Sequence, residues 1–341
     1  METESFHQDE ATEPTQIDSS RLDMQNSYEV PVNDSRELHE PQLNPRNLQY
    51  EYVGDVAGEP VFTSYAVQFP LNPNPKYLEG LGKIKESDSS FTRYTKLILM
   101  AGTDRALIDL IINGISTGLS HGTMDVIYRV GVGEKVDTVL DNFDIAIGSL
   151  QRRVIVSDII AKKIMETDSD SIISIAGGSC LLPIEGIYQS GKEGMVITNI
   201  DRSDKANEKA EKTLKDINNK RNLGLSLKSV QRDILKNGLQ VLTSEEEPEI
   251  IECTGFWEYL NNEQRESLLR NISEGVQSKD SFILTVLTDN PQQHIFDAVR
   301  FKKLSSTKLE DLIPLVKKYL GNIERVIITP NNTYATLVIK K

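Results

Sequence analysis

The chain is 341 residues long, enough for about two domains, and its 38% hydrophobic and 26% charged residues fit a soluble globular protein with a polar extension. Acidic residues outnumber basic ones by 51 to 38, with eleven acids against three bases in the first fifty positions, and the net charge of −13 argues against nucleic acid or an anionic membrane as a partner. No apolar run reaches the ~18 residues of a membrane span, and the acidic N-terminus lacks the apolar core of a secretory signal.

Residues 1–48 are rich in Glu, Asp, Gln, Ser, Asn and Pro without a sustained period, and they read as a disordered acidic tail. From Tyr50 to Gln68, β-formers flank Gly58-Glu59-Pro60, which predicts a hairpin. A proline-rich connection follows at Pro70 to Pro75. Phe91 to Ile115 has helical spacing, and Val136–Ile147 and Arg152–Met165 read as two further amphipathic helices. Residues 49–165 are therefore expected to form a mostly helical substrate or cap region.

After Asp170 short apolar runs alternate with helical stretches. Strands are predicted at Ile172–Ala176, Met195–Ile200, Ser226–Gln231, Glu249–Cys253 and Phe282–Leu287. Helices are predicted at Cys180–Tyr188, Asp204–Ile217, Gln264–Gln277 and Lys308–Tyr319. Such alternation means a parallel sheet covered on both faces. Arg325–Thr329 and Tyr334–Ile339 are β-rich and joined by only Pro330 to Thr333, too short for a parallel crossover, so these two strands must be antiparallel. The expected fold is a doubly wound α/β sheet of seven strands, mostly parallel, with a C-terminal antiparallel hairpin. It occupies residues 166–341.

In such sheets ligands bind beyond the carboxyl ends of the strands. Four stretches lie there. In Ser174-Ile175-Ala176-Gly177-Gly178-Ser179-Cys180 the glycines permit close backbone approach to a ligand, or simply make a tight turn. Asp201, followed by Arg202, ends the second strand, where a carboxylate can accept from both hydroxyls of a ribose or cap the next helix. Asp233 and Ile234 follow the third strand at a position suited to adenine, and a plain loop acid is the alternative. Glu252-Cys253-Thr254-Gly255-Phe256-Trp257-Glu258-Tyr259-Leu260 leaves the fourth, and its aromatics can stack on substrate or serve helix-to-sheet packing.

Other chemistries find less support. The Gly-x-Gly-x-x-Gly dinucleotide fingerprint is absent after the first strand, as are a Gly-x-Ser-x-Gly elbow and a Walker loop. Two cysteines and four histidines, two of them in the tail, give neither a disulfide framework nor a metal site. A cytoplasmic protein without a metal is the expectation.

A mostly parallel sheet closing in a hairpin resembles the class I S-adenosylmethionine-dependent methyltransferases. More narrowly, the chain from about Asp104 onward is similar to bacterial methyltransferase domains sometimes attached behind an α/β-hydrolase. The similarity is carried by Gly118 to Tyr128, Ile147 to Arg153, Cys253 to Leu260 and Thr288 to Gln292. The group's first motif usually reads Asp-x-Ala-Ala-Gly-x-Gly-Arg, and Ser174 stands here in place of its acid. The resemblance implies S-adenosyl-L-methionine as cofactor and methyl transfer to a small molecule. Ala176, Gly177 and Gly178 would meet the donor's amino-acid end, Asp201 and Arg202 its ribose, Asp233 and Ile234 its adenine, and Thr254 the reacting region. Residues 115–153 and 254–260 would shape the acceptor pocket, with Tyr128, Trp257, Tyr259 and Gln292 as candidate catalytic groups. A non-catalytic donor-binding module and a nucleotide-cofactor oxidoreductase are the alternatives.

Overall fold

A computed structural model describes residues 48–64, 75–101, 143–239, 250–275, 280–298 and 304–340. The predicted tail therefore lies almost wholly outside the described residues, as do the proline-rich connection and most of the segment between the second and third helices.

Among the described residues nine strands form one sheet. They are β1 (Glu51–Val56), β2 (Glu59–Thr63), β3 (Ser171–Ile175), β4 (Val196–Asp201), β5 (Ser226–Gln231), β6 (Ile250–Cys253), β7 (Ser281–Leu287), β8 (Asn322–Ile328) and β9 (Tyr334–Lys340). Their spatial order is β1-β2-β8-β9-β7-β6-β3-β4-β5. β3 to β7 run parallel, and β9 lies antiparallel between β7 and β8, as the short connection required. The seven expected strands are thus present. The two additional strands are the N-terminal hairpin, whose β2 pairs parallel with β8 through Val61, Phe62 and Thr63. Adding β2 there covers what would otherwise be an open edge of unpaired backbone groups. The hairpin turns at Ala57-Gly58, both with positive φ (50° and 80°), one position before the predicted Gly-Glu-Pro turn. Positive φ at both central residues suits the right-handed twist of a two-residue hairpin.

The helices are α1 (Pro75–Gly82), α2 (Ser90–Ala101), α3 (Asp144–Thr167), α4 (Leu181–Ser190), α5 (Asp204–Arg221), α6 (Ile234–Asn237), α7 (Asn262–Gly275), α8 (Gln293–Ala298) and α9 (Leu309–Leu320). The two helices expected between Val136 and Met165 are, over the described residues, one helix of 24 residues. Gly148 does not break it. A Cβ at Gly148 would lie 2.7 Å from Thr333 Cβ and 3.0 Å from the Tyr334 ring, so the glycine lets α3 seat against the hairpin loop. Ser203 caps α5, its hydroxyl accepting from Ala206 N at 3.4 Å.

Each strand sends alternate side chains to opposite cores, the period of two that any strand imposes. Ile172, Ile197 and Ile283 join Ile155, Ile160, Ile184 and Ile187 of α3 and α4. Ile173, Ile175, Phe282 and Leu284 join Leu268, Ile272, Ile313 and Val316 of α7 and α9. Burial on both faces explains why β3, β6 and β7 are mostly apolar along their length. Because β3 has β4 on one side and β6 on the other, the strand order reverses at their carboxyl ends.

Candidate functional site

The turn leaving β3 alternates in hand. Ala176, Gly178 and Cys180 have φ of 53°, 56° and 54°, whereas Gly177 and Ser179 stay negative. A left-handed non-glycine residue costs about 1–2 kcal/mol, so at Ala176 and Cys180 this conformation is imposed by the surroundings. Ala176 N donates to Ile200 O at 2.7 Å and Cys180 N to Gly177 O at 2.8 Å, which pins both ends of the turn. The N–H groups of Ala176, Gly178 and Cys180 are thus spent within the protein, so at most those of Gly177 and Ser179 can meet an anionic group of a ligand.

The two glycines do different jobs. A Cβ at Gly177 would lie 1.9 Å from Ser174 Oγ and 2.6 Å from Asn199 Oδ1, so this position is bare because the protein's own buried side chains fill the space. Gly178 supplies positive φ, and its N–H donates to Asp201 Oδ2 at 3.2 Å. The other oxygen of Asp201 accepts from Ser203 N at 2.9 Å. One carboxylate therefore clamps the turns after β3 and β4 together. A carboxylate has about four acceptor positions, so two remain for ligand hydroxyls. Arg202 is exposed, and its carbonyl oxygen accepts from Gln231 Nε2 at 3.5 Å.

Below the turn lies a polar layer, two of whose members, Ser174 and Glu252, fall within the first and fourth stretches read from the sequence. Ser174 and Glu252 face each other in register on β3 and β6, and the Ser174 hydroxyl donates to Glu252 Oε1. Glu252 is 2% exposed. Burial pushes its carboxyl up to about 7, against the lowering pull of Ser174, Thr254 and Arg152. Its Oε2 has no hydrogen-bond partner of good geometry, although the Thr254 hydroxyl lies close by. Asn199 is fully buried on β4 and donates to Gly178 O at 3.3 Å and to Asn207 Oδ1 at 2.9 Å, while its own Oδ1 has no partner. The Cys180 and Cys253 thiols are buried beside this layer and held well above their usual range, first by desolvation and then by the charge of Glu252. The signal for Glu252 was present: an acid inside Ile250-Ile251-Glu252-Cys253, an otherwise apolar strand.

The remaining candidates spread out. Asp233 caps α6, accepting from Leu235 N at 3.1 Å, and Ile234 is a buried residue of the α7 and α9 core. Thr254 is part-exposed just beyond β6. Trp257 is 1% exposed and starts a 3₁₀ turn (Trp257–Tyr259); its indole N–H donates to Thr307 Oγ1 at 3.0 Å and Arg265 lies 5.3 Å from its ring centroid, so it is committed to packing. Tyr259 is part-buried against the opposite core. Gln292 Oε1 accepts from Asp144 N at 2.9 Å and so fixes the start of α3. Tyr128 lies outside the described residues. Above β6, Arg152 of α3 pairs with Glu258 at 3.2 Å, both 1% exposed, and stacks 4.3 Å from the Tyr334 ring centroid. This ion pair ties the cap-side helix to the loop after β6.

No family model matches the chain, and no curated protein does. Solved structures do. Magnesium protoporphyrin IX methyltransferase from Synechocystis PCC 6803, solved with bound SAH, aligns with a TM-score of 0.50 at 12% identity, over 68% of this chain and 98% of that one. A possible exported protein from Bordetella parapertussis aligns with a TM-score of 0.56 at 11% identity, over 81% of this chain and 99% of that one. The fold is that of the class I methyltransferases. Among the described residues no helix is long and apolar enough to cross a membrane.

Proposed function

We propose that the chain transfers a methyl group from S-adenosylmethionine to a small-molecule acceptor. The observation that carries this reading is the turn after β3. It alternates in hand at the point where strand order reverses, and it is clamped to the carboxylate that ends the neighbouring strand. The likeness in fold to a methyltransferase solved with bound SAH supports it.

The residues present fit such a donor. The N–H groups of Gly177 and Ser179, which make none of the turn's own bonds, suit its carboxylate, and the spare acceptor positions of Asp201 suit its ribose hydroxyls. When bound, the donor would supply an activated methyl group on a sulfonium. The chain's contribution is to hold donor and acceptor in line, and pre-paid orientation of that kind can account for much of a displacement's acceleration. The buried Arg152–Glu258 pair fixes the distance between α3 and the loop after β6.

Thermal melting with S-adenosylmethionine, S-adenosylhomocysteine and NAD tests the reading. A ligand at about 100 times its Kd adds about 2.7 kcal/mol, or roughly 5–10 °C for a domain of this size. A rise with both adenosyl ligands and none with NAD is expected, and a rise with NAD alone refutes it. Detection of S-adenosylhomocysteine released in the presence of candidate acceptors then separates an enzyme from a passive binder.

A further inference from the structure

Resting on the reading of Asp201 as an acceptor for ribose hydroxyls, we propose that Arg202 and Arg232 form a phosphate subsite at the carboxyl edge of β4 and β5. Its ligand is an adenine nucleotide that carries a phosphate on its ribose and competes with the methyl donor.

The sheet sets the two arginines against each other. β4 and β5 pair in parallel as far as Asp201 and Gln231, and Arg232 N donates to Asp201 O at 3.0 Å, which carries the ladder one step further. Gln231 Nε2 donates to Arg202 O at 3.5 Å, so the chain segments stay together beyond the strands. Arg202 and Arg232 are therefore opposite neighbours. Like charges placed opposite one another on adjacent strands repel. Among the described residues, neither guanidinium makes a hydrogen bond or an ion pair that would relieve the repulsion. Arg202 is exposed. Arg232 is half-buried: its Nη1 is shielded and lacks a partner, while Nε and Nη2 stay open to solvent.

The other arginines whose side chains are described are all engaged. Arg152 and Arg153 pair with Glu258 and Glu185, and Arg93 and Arg265 donate to the carbonyls of His294 and Ser305. Arg270 meets the Tyr319 hydroxyl, and Arg325 lies 5.6 Å from the Tyr50 ring centroid. The acids near the arginine pair are committed too. Asp201 accepts from Gly178 N and Ser203 N, and Asp233 accepts from Leu235 N and lies 3.8 Å from Lys236 Nζ. Asp204 and Lys205, both exposed in the first turn of α5, offset each other. Two adjacent unpaired cations in a chain of net charge −13 call for an anion from outside.

The place of the pair defines that anion. The open Nε–Nη2 edge of an arginine presents two parallel donors, which match the oxygens of a phosphate. Asp201 has acceptor positions to spare for a ribose hydroxyl, and an arginine beside a ribose-binding acid accommodates a phosphate on that ribose. A ribose phosphorylated at one hydroxyl keeps the other for Asp201 and turns its phosphate to Arg202 and Arg232. β4 and β5 lie on the side of β3 away from β6, so the subsite extends the adenosine side of the donor site.

Calorimetric titration of the full chain tests the assignment. The ligands are S-adenosylhomocysteine, adenosine, its 2′-, 3′- and 5′-monophosphates, and inorganic phosphate. Adenosine 2′-phosphate or 3′-phosphate should bind at least roughly tenfold tighter than adenosine and should displace S-adenosylhomocysteine. The 5′-phosphate should show no such gain, and inorganic phosphate should not bind at the same concentration. Arg232→Gln should bring the favoured nucleotide to the level of adenosine and leave S-adenosylhomocysteine within about twofold. No gain over adenosine, an equal gain with the 5′-phosphate, inorganic phosphate binding as well as the nucleotide, or a gain that survives Arg232→Gln would each overturn the subsite. If S-adenosylhomocysteine still binds in those cases, the donor reading stands. A parent that takes the ribose-phosphorylated nucleotide but not S-adenosylhomocysteine would support the subsite and overturn the donor reading, and a parent that binds no adenosine compound would overturn both. The ligand comparison on the parent decides the matter even if Arg232→Gln does not fold.

Discussion

Replacing Gly177 with alanine adds one methyl group where the structure has no room for it. The new Cβ would sit 1.9 Å from Ser174 Oγ, 2.8 Å from Ser174 Cβ and 2.6 Å from Asn199 Oδ1. Neither neighbour can swing away into solvent, because Ser174 and Asn199 are both fully buried. Forcing a methyl into a packed site costs about 1–3 kcal/mol. Rotating Ser174 aside also breaks its hydrogen bond to Glu252, worth about 1.5–3 kcal/mol when the acceptor is charged. Together these give a loss of about 2.5–6 kcal/mol, a large share of the ~5–15 kcal/mol that holds a typical protein folded. Gly178→Ala is the control: it must accept a φ of 56°, at about 1–2 kcal/mol, a conformation that Ala176 and Cys180 already adopt next to it. Urea unfolding of both variants measures the contrast. The double variant Ser174→Ala/Gly177→Ala removes the worst contact and should be more stable than the sum of the single losses allows. If Gly177→Ala unfolds at the same urea concentration as Gly178→Ala, the close packing beneath the turn is wrong.

Asp201→Ala removes the acceptor of both Gly178 N and Ser203 N, so it should cost about 2–3 kcal/mol of stability as well as weaken S-adenosylhomocysteine at least tenfold; an unchanged melting temperature would show that the clamp does not hold the turns. Glu252, raised from 4.5 to about 7, favours the folded state most below its unfolded value and loses that contribution as pH rises through 7. Glu252→Gln should therefore flatten part of the fall in stability between pH 4.5 and 7, on the order of 3 kcal/mol, and parallel stability curves for parent and variant would contradict the burial of this carboxyl. Tyr50→Phe deletes the 2.6 Å bond to Asp158 Oδ2 and should cost about 1–2 kcal/mol by thermal melting. No change there would mean that the segment before β1 does not lock onto α3.

Much of the fold was legible because its signals are local. β3 and β7 announce themselves as short, mostly apolar runs, since a strand buried on both faces has little polar side to show. The antiparallel β8–β9 pair followed from a four-residue connection, and that pair alone distinguished this sheet from one parallel to its end. Asp201 could be placed at the end of β4 because a strand and the turn that closes it are read from consecutive residues. The helix break expected between Ile147 and Arg152 failed for the opposite reason: Gly148 answers to Thr333 and Tyr334, partners remote in sequence.

What the chain determined by itself was periodicity, turn chemistry and connection length, all set within a few residues. Tertiary structure decided which remote segments meet. Thr63 reaches Ile328 O, 265 positions away, and so brings the N-terminal hairpin onto the sheet; Ser174 meets Glu252 across 78 positions and Arg152 meets Glu258 across 106. The acid missing from the end of β3 and the acid buried in β6 look unrelated until strand pairing sets them side by side. Periodicity says that a residue is buried but not beside what, and the energy of a buried charge depends almost wholly on its neighbours.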